Sequence, residues 1–575
     1  MAKIGIKQQD SKDCGAACLS SVGNHFGISI PIARIRQMAG TDRQGTNVLG
    51  LVEAADKMGL KAKCVRGSED ALPNIPLPAI AHIKIDKTEY HHYVVIYKMA
   101  RKKIQLMDPL NGTLVKYNSS RFLEQWTGVL ILFAKKKDFI RIDELQNPYK
   151  RFFTLIQPHK SILIQVLFGA VIYTLLGLGI SVYVQKITDD VLLSSNRNLL
   201  NLMSLIMLGI IFLQAYIGSV RRIYVLKTGQ LIDARLILGY YKHLMQLPQR
   251  FFDTMQVGEI ISRVNDAVKI RALINNAAVD FLVNLFIIVF AFALMFTYHW
   301  RLAIIILLIV PFYLFFYTLV NRFNKSVERR LMEKSARLEN HLVESISNVR
   351  AVKEFGIEEV AGIKAENRVI DLIFSYNRSG MNDIFAGTST RFLASFFTVL
   401  LLWAGSGYVL EGQITTGELF SFYALMGYFT TPMTSLVGMN KTLQNALIAA
   451  DRLFEIMDLE RERSENRLVL QKEMLGDIRF ENISFSYGTR TEVFKNFNAV
   501  VKKNKITAVV GESGSGKTTL IALLQQLYTL NEGRIKTAGI DLAMADRLSL
   551  RKLIAVIPQQ LKLFSGNVID NIALG

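Results

Sequence analysis

The sequence is poor in cysteine and begins without a secretion signal. Its three cysteines, Cys14, Cys18 and Cys64, all lie in the first part of the 575-residue chain. A small and odd number argues against a disulfide scaffold and fits a reducing compartment. Residues 1–7 (MAKIGIK) contain no apolar core of the kind that a cleaved signal peptide needs. We therefore expect the N-terminal segment to stay in the cytoplasm.

Acidic residues are also scarce, because 68 Lys and Arg face 48 Asp and Glu and give a net charge of +20. Such a charge could indicate nucleic-acid binding, but the sequence has no basic-aromatic patch and no reader motif, so we expect no nucleic-acid partner. Half of the residues are hydrophobic and the mean hydropathy is +0.26. The chain is too apolar for an ordinary soluble protein, and basic residues collect in the cytoplasmic loops of membrane proteins.

Apolar runs long enough to cross a bilayer as helices fill residues 161–445. The stretches 221–272 and 322–380 are rich in Lys and Arg, whereas residues 405–432 carry none. By the positive-inside rule we expect a multi-pass membrane protein, embedded in lipid, with both chain ends in the cytoplasm. The predicted spans are six, near residues 162–184, 200–220, 275–298, 302–322, 386–409 and 417–439.

Two linkers are predicted on either side of these spans, at residues 136–160 and 446–475. The first carries basic and aromatic residues just before a span. That composition suits a helical elbow at the membrane surface, and it suits a solvated linker about equally well.

The N-terminal segment, residues 1–135, has the pattern of a small α/β domain. Cys14 opens a predicted helix, residues 90–97 and 103–107 predict strands, and residues 108–112 predict a turn. A helix N-terminus and a nearby imidazolium lower the pKa of a thiol, and a histidine base needs an acceptor for its ring. From the residue types alone, packing roles for these residues stay open, and so does a metal site that combines Cys14, Cys18, His91 and His92.

Three motifs in this segment resemble, in order and spacing, those of the cysteine peptidase domain that is fused to bacteriocin exporters: Gln8 with Asp13–Leu19, His92–Val95, and Asp108–Pro109. The resemblance implies a papain-like fold in which Cys14 is the nucleophile and His92 the general base. It further implies that Asp108 orients His92 and that Gln8 donates to the oxyanion. His92 is favoured over His91 on the same grounds. The family cleaves after a Gly-Gly pair that ends a leader peptide.

A glycine-rich loop lies in the C-terminal segment, residues 476–575. Residues 505–510 have a buried-strand pattern, the loop follows, and a helix is predicted from Thr519. This is the order of a P-loop, in which backbone N–H groups surround phosphate oxygens at a helix N-terminus. We expect Lys517 to contact the terminal phosphates of ATP and Thr518 to contact Mg²⁺. The predicted nucleotide site contains Gly511, Ser513, Gly514, Ser515, Gly516, Lys517, Thr518 and Thr519.

The membrane and C-terminal segments together resemble ABC exporters. The run from Leu247 to Asp266 is similar to the cytoplasmic loop that, in that family, touches the ATPase domain, although Glu259 and Arg263 could simply pair four residues apart on a helix. Tyr487 resembles the aromatic residue that stacks on adenine. Gln559 resembles the glutamine that senses Mg²⁺, with Gln560 a weaker candidate.

The sequence stops at Gly575, before the signature loop, Asp-Glu pair and switch histidine of an ABC ATPase. We therefore expect half of an ATPase domain and no ATP hydrolysis by this chain alone. The resemblance as a whole implies a homodimeric, ATP-driven exporter of the bacterial plasma membrane. It would cleave the double-glycine leader of a bacteriocin- or lantibiotic-like precursor and export the peptide. The alternatives are an exporter whose N-terminal domain only docks its substrate, and a transport-dead fragment that keeps leader peptidase activity.

Overall fold

The computed structural model describes most of the chain and divides it into two units. The first unit comprises Met1–Glu144, Gln246–Thr254 and Leu459–Gly575, and the second comprises Leu145–Met245 and Met255–Asp458. The described residues are 4–8, 12–41, 45–84, 91–100, 103–141, 143, 157, 160–255, 257–273, 278–462, 467–488, 492–559 and 563–573.

A six-stranded antiparallel sheet carries the N-terminal part of the first unit, and the predicted strands around residues 91–97 and 103–107 are confirmed. The strand order is β1-β6-β2-β3-β4-β5. Three helices precede the sheet, α1 (Cys14–Phe26), α2 (Ile32–Ala39) and α3 (Val48–Lys57). The strands and the remaining helix are β1 (Leu60–Arg66), β2 (Ala79–Lys84), β3 (His91–Ala100), β4 (Lys103–Asp108), β5 (Thr113–Asn118), α4 (Ser119–Gln125) and β6 (Trp126–Lys135).

Helix α1 packs closely against β3 because its first turns consist of small residues. Ala16, Ala17 and Cys18 are fully buried. On another side of α1, a Cβ added at Gly15 would lie 3.2 Å from the Cβ of Thr46. The sequence of α1 therefore fixes how near its N-terminus lies to the sheet.

The second unit consists of long helices, and five segments among its described residues are long and apolar enough to cross a membrane: Lys160–Leu192, Arg197–Met245, Asp280–Tyr298, Trp300–Ser347 and Glu358–Leu410. The helices are α5 (Lys160–Lys186, continued by a π-helical turn, Ile187–Leu192), α6 (Arg197–Met245), α7 (Gln249–Thr254, which belongs to the first unit), α8 (Val257–Ala272), α9 (Ala278–Tyr298), α10 (Trp300–Leu307), α11 (Ile309–Ser347), α12 (Val349–Glu354), α13 (Glu358–Leu410) and α14 (Thr416–Met457).

The sixth predicted span, 417–439, lies in α14, which is helical throughout but is not among the five apolar segments. The position of α14 in the helix bundle explains why its sequence is less apolar than those of the five segments. Helix α14 packs against α5, α9, α11 and α13, and Ser421 and Phe422 are completely buried. A helix surrounded by other helices can carry Ser, Thr and Gly that a lipid-facing helix would replace by larger apolar residues. The elbow predicted within 136–160 falls largely outside the described residues.

The C-terminal part of the first unit is a four-stranded antiparallel sheet with the order β10-β9-β7-β8. Its elements are β7 (Ile478–Ser486), β8 (Glu492–Val501), α15 (Lys517–Leu524), β9 (Glu532–Thr537), β10 (Ile540–Asp541), α16 (Arg547–Leu553) and α17 (Val568–Ile572).

The buried strand predicted at residues 505–510 is wrong for this structure. The segment forms no β-strand and belongs to no sheet, and Ile506 and Val510 are 103% and 91% exposed. A strand is defined by hydrogen bonds to a neighbour, and among the described residues no other strand pairs with this segment. Residues 505–510 do have the apolar pattern of a buried strand. The pattern shows that these side chains are suited to burial, but it does not show that they are buried.

Candidate active site and phosphate loop

Cys14 lies at the N-terminus of α1 and is 8% exposed. The positive end of the helix dipole therefore lies at this position. Because the small residues of α1 let the helix approach β3, Cys14 lies close enough to His92 on that strand to contribute to the raised pKa of its ring.

His92 links Cys14 to Asp108. It is the second residue of β3 and pairs with Ile83 of β2, and its Nε2 lies 3.1 Å from Oδ1 of Asp108 at the end of β4. Burial opposes a charged ring, but the hydrogen bonds and negative charges of Asp108 and Cys14 outweigh it and raise the pKa of His92 to about 9. At neutral pH the arrangement therefore favours an imidazolium beside the cysteine sulfur.

Asp108 is fixed by two hydrogen bonds. Its Oδ1 accepts from the backbone N–H of Leu110 at 2.9 Å as well as contacting His92. Burial alone would raise the pKa of Asp108, but these two hydrogen bonds lower it below its usual value. The carboxylate is therefore charged at neutral pH and can hold the imidazolium in place.

Gln8 lies beside the turn that follows Asp108. Its backbone N–H donates to the carbonyl oxygen of Pro109 at 2.8 Å. Gly112 in the same turn has a φ of 64°, and a Cβ there would lie 2.7 Å from the backbone nitrogen of Lys7. The buried Oε1 of Gln8 has no hydrogen-bond partner among the described residues. The amide oxygen therefore keeps acceptor capacity that no described residue uses.

His91 and Cys18 have contacts of their own. The exposed His91 ring stacks on His82, with centroids 5.0 Å apart and planes 10° apart. The Cys18 thiol donates to the carbonyl oxygen of Tyr93 at 3.3 Å. Its pKa is raised well above the usual value by burial and by the charges of Cys14 and Asp108. In the part of the chain that the structure describes, no three His, Cys, Asp or Glu residues are placed to hold a metal ion, so the alternative metal site is wrong.

The glycine-rich loop leads directly into α15, which begins at Lys517. Gly514 and Gly516 have φ values of 86° and 93°, in the left-handed region that favours glycine. A Cβ on Gly516 would lie 2.8 Å from both Val493 and Phe494 of β8. Lys517 Nζ donates to the carbonyl oxygens of Gly511 and Glu512 at 2.7 and 2.6 Å. The loop thus has the tight backbone, the helix N-terminus and the cation that bind phosphate groups.

The other residues predicted for the nucleotide site differ in how close the structure places them to the glycine-rich loop. The Tyr487 hydroxyl donates to Thr519 Oγ1 at 3.1 Å, and the ring is 44% exposed. Ser513, Ser515 and Thr518 lie on the loop and the first turn of α15. Gln559 is exposed beyond α16, and no contact with the loop is shown for it among the described residues. Gln560 lies outside those residues.

Two clusters of charged residues in the second unit join its helices. The predicted pair of Arg263 and Glu259 on α8 is confirmed at 2.8 Å, and Arg263 also lies 3.7 Å from Glu455 of α14. Arg452 of α14 lies 3.3 Å from Asp266 of α8. We call these five residues the α8–α14 ion cluster.

The second cluster lies just beyond the ends of the predicted spans, so a search for charges within spans misses it. Lys441 of α14 contacts Asp383 of α13 at 2.5 Å and Glu328 of α11 at 3.6 Å. Ser379 donates to Glu328 at 2.5 Å. A signal was present in the sequence, because polar residues recur at helical spacing at Asn321, Asn324 and Glu328.

Comparison with known proteins gives three family matches in chain order. Residues 3–138 match the Peptidase C39 family, residues 163–433 the ABC transporter transmembrane region, and residues 494–572 the ABC transporter family. The chain is 30% identical over 579 residues to the lactococcin-G-processing and transport ATP-binding protein LagD of Lactococcus lactis subsp. lactis, covering 100% of this chain and 80% of that protein. The chain belongs to the family of bacteriocin transport and processing ATP-binding proteins.

Further members of this family show similar coverage. The pediocin PA-1 transport/processing ATP-binding protein PedD of Pediococcus acidilactici is 30% identical over 584 residues, covering 100% of this chain and 80% of that protein. The transport/processing ATP-binding protein ComA of Streptococcus pneumoniae (strain ATCC BAA-255 / R6) is 28% identical over 576 residues, with 99% and 80% covered. As a member of this family, the chain combines a cysteine peptidase with an ABC transporter of the membrane.

Proposed function

We propose that this protein removes the leader from a bacteriocin-like precursor peptide and exports the mature peptide across the membrane at the expense of ATP. The names of LagD, PedD and ComA, which combine processing, transport and ATP binding, support both steps. The observation that carries the peptidase step is that one histidine, His92, interacts both with a cysteine at a helix N-terminus and with the half-buried carboxylate of Asp108.

Cleavage follows from the charges around Cys14. The thiolate, paired with the His92 imidazolium, attacks the carbonyl carbon of the scissile peptide bond and forms a tetrahedral intermediate. The side-chain amide of Gln8 donates to the oxyanion, and His92 gives its proton to the leaving amine nitrogen. Water then hydrolyses the thioester with His92 as the base, while Asp108 holds the ring.

We propose a leader ending in Gly-Gly as the substrate. This rests on the family resemblance, and the burial of the site supports it. Cys14 and His92 are only 8% and 4% exposed, so a peptide must bring its backbone close to the sulfur without intervening side chains. Glycine is the residue that permits such an approach.

The phosphate loop is proposed to bind ATP with Mg²⁺. Backbone N–H groups of Gly514–Gly516 and the cation of Lys517 would hold the phosphates, and Thr518 would contact Mg²⁺. Tyr487, whose hydroxyl contacts Thr519 beside the loop, is the candidate for adenine stacking, and Gln559 the candidate sensor of Mg²⁺. Bound ATP would supply the free energy for export.

For the membrane region we propose six spans, with α14 as the sixth, both termini in the cytoplasm and a homodimer in the bacterial plasma membrane. Large apolar side chains on the predicted spans support contact with lipid, since Phe212 of α6 and Trp403 of α13 are each 78% exposed. Helix α14 is 42 residues long, and at about 1.5 Å per residue it exceeds a hydrocarbon core of about 30 Å. The homodimer is proposed because the family that the sequence resembles works as a homodimer.

The deciding experiment uses the purified full chain in lipid nanodiscs with a synthetic Gly-Gly leader peptide. We expect cleavage by the unmodified protein and by Cys64→Ser, which alters an exposed cysteine on β1. Cys14→Ala should lose at least about a thousandfold in rate, because no other group replaces the nucleophile. Equal cleavage by Cys14→Ala would reject the assignment. Absence of cleavage with every leader would favour a domain that only docks the substrate.

A further inference from the structure

Tyr528 is an aromatic residue near the phosphate loop that has no role in the proposed function. It lies between α15 and β9, and its side chain is partly buried. Its ring centroid is 5.1 Å from that of Tyr487, the candidate for adenine stacking. Phe485 of β7 contacts both rings, at 5.0 Å from Tyr487 and 5.9 Å from Tyr528. Tyr487 therefore has two aromatic neighbours, one from β7 and one from the segment that follows α15.

These two neighbours hold the ring of Tyr487 without covering it. Phe485 and Tyr528 meet Tyr487 at interplanar angles of 82° and 86°, so neither stacks parallel to it. Perpendicular contacts between aromatic rings are favourable at centroid distances of about 4.5–7 Å. Because 44% of Tyr487 stays exposed, a planar base can still stack on its ring.

The hydroxyl of Tyr528 joins its ring to helix α7. It donates a hydrogen bond to Oδ2 of Asp253 at 2.6 Å. Burial and the neighbouring carboxylate raise the pKa of Tyr528 above its ordinary value of 10.0, so the hydroxyl keeps its proton at neutral pH and remains a donor. The ring contacts and the hydroxyl contact together restrict the rotation of the side chain. The position of Tyr528 is thus set by contacts within the folded chain.

We propose that Tyr528 is a positioning residue for the adenine base of ATP. Its ring holds Tyr487 in the orientation that stacks on adenine, while its hydroxyl fixes Tyr528 itself on Asp253. Tyr528 acts on the base only through Tyr487. The inference rests on the proposed stacking role of Tyr487. A merely structural role, in which Tyr528 only fills space beside β7, predicts no difference between the binding of adenine and the binding of phosphate.

The test measures how substitutions at Tyr528 change the binding of ATP and of inorganic tripolyphosphate, which has no base. The purified full chain in lipid nanodiscs is loaded with a ribose-labelled fluorescent ATP, and each ligand is added as a competitor to obtain its Kd. Tyr528→Leu should raise the Kd of ATP about two- to tenfold, the contribution of one aromatic pair, and leave the Kd of tripolyphosphate unchanged. Tyr528→Phe keeps the ring and should restore most of the lost affinity.

Two further variants show whether Tyr528 acts through Tyr487. Tyr487→Leu should weaken ATP binding at least as much as Tyr528→Leu does. The variant that carries both substitutions should bind ATP no more weakly than Tyr487→Leu alone, because the ring that Tyr528 positions is then missing. Phe497→Leu is the matched control. It removes a ring of the same sheet that packs against Phe480 and Phe494, and it should change neither Kd.

Each result supports or overturns the proposal. An unchanged Kd of ATP in Tyr528→Leu would overturn it, and so would an equal rise for tripolyphosphate or an additive loss in the double variant. If Tyr528→Leu does not fold, as judged by circular dichroism, Tyr528→Met is measured with the same expected result, because methionine is flexible and fills irregular space.

Failure of the proposed nucleotide site gives a different result. If the unmodified protein binds ATP but Tyr487→Leu binds it equally well, the stacking role of Tyr487 fails and the inference fails with it. A loss in Tyr487→Leu without a loss in Tyr528→Leu overturns the inference alone. Binding of neither ligand by the unmodified protein would reject the nucleotide site itself.

Discussion

Replacing Asp108 by asparagine tests the electrostatics of the candidate active site, because the substitution removes a charge and keeps the shape of the side chain. In the structure the pKa of His92 rises from its ordinary 6.5 to about 9. Burial opposes this rise, and the hydrogen bonds and charges of Asp108 and Cys14 cause it. A difference of about 2.5 units corresponds to roughly 3 kcal/mol in favour of the imidazolium.

The expected magnitude follows from removing one of the two stabilising partners. With Cys14 alone opposing the burial of His92, we expect the pKa of the ring to fall by at least about one unit in Asp108→Asn. The high-pH limb of the cleavage profile should then move from near pH 9 to about pH 7–8. The rate at its optimum should fall by about 10²–10⁴-fold, since an amide can also hold the ring in the wrong tautomer.

The stability of the folded protein should also depend on the protonation of His92. Because the pKa of His92 is raised, its contribution to folding is complete below pH 6.5 and is lost as pH rises through about 9. The pKa of Asp108 is lowered from 3.8, so its contribution to the stability of the folded state is lost only as the pH falls below that value. This acid range lies outside the window from pH 6.5 to 9. The loss of stability between pH 6.5 and 9 should be smaller in Asp108→Asn than in the unmodified protein.

The assay is kcat/KM for a Gly-Gly leader peptide between pH 5 and 10, with Tm recorded over the same range. Asp56→Asn is the matched control, because Asp56 is exposed and pairs with Lys136 at 2.7 Å. The control should reproduce the unmodified pH profile. An Asp108→Asn profile whose high-pH limb coincides with that of the control would refute the assignment of Asp108 as the main partner of His92.

Two further predictions each compare two residues that lie close together in the sequence. His91→Ala removes an exposed ring stacked on His82 and should change leader cleavage by less than about threefold, whereas His92→Ala should lose about 10³-fold; similar losses in both would contradict the choice of His92. Gly516→Ala places a Cβ 2.8 Å from Val493 and Phe494 at a φ of 93°. It should weaken binding of a fluorescent ATP analogue at least about tenfold and spare leader cleavage. Gly514→Ala has the same backbone strain but no atom within 4 Å, so equal weakening by both variants would show that crowding is irrelevant.

The sequence predicted local features of the fold well and pairings between distant segments poorly. The β-branched and aromatic composition was enough to predict β3, because strand preference is a local property, and β4 was predicted as the strand that follows it. The prediction of a strand at residues 505–510 was wrong because a strand also needs a neighbouring strand to which it can form hydrogen bonds. The ion pair of Arg36 on α2 with Asp13, 3.3 Å apart, could not be predicted from the sequence, since it depends on how α2 packs against α1.

Within the candidate site, residue types alone left His91 and His92 undecided. The resemblance to exporter-linked peptidases favoured His92, and the structure adds contacts that residue types do not contain: a ring shared by Cys14 and Asp108, and a neighbour stacked on His82. The polar residues around Glu328 were missed for a different reason. They follow helical spacing, but they lie just past the boundaries that hydropathy assigns to the spans.

The α8–α14 ion cluster limits how parts of this protein can be exchanged with those of its relatives. Helix α8 (Val257–Ala272) and the end of α14 (Thr416–Met457) are far apart in the sequence. Arg263 and Asp266 of α8 are nevertheless 6% and 0% exposed and pair with Glu455 and Arg452 of α14. A chimera that replaces only α14 would break both ion pairs between the helices and leave Arg263 and Asp266 with their partners within α8, Glu259 and Lys269. A chimera that replaces only α8 would remove Asp266 from Arg452, and breaking a buried ion pair costs about 3–5 kcal/mol. The natural unit of exchange is therefore discontinuous in sequence, and a functional hybrid must take α8 and the end of α14 from the same parent.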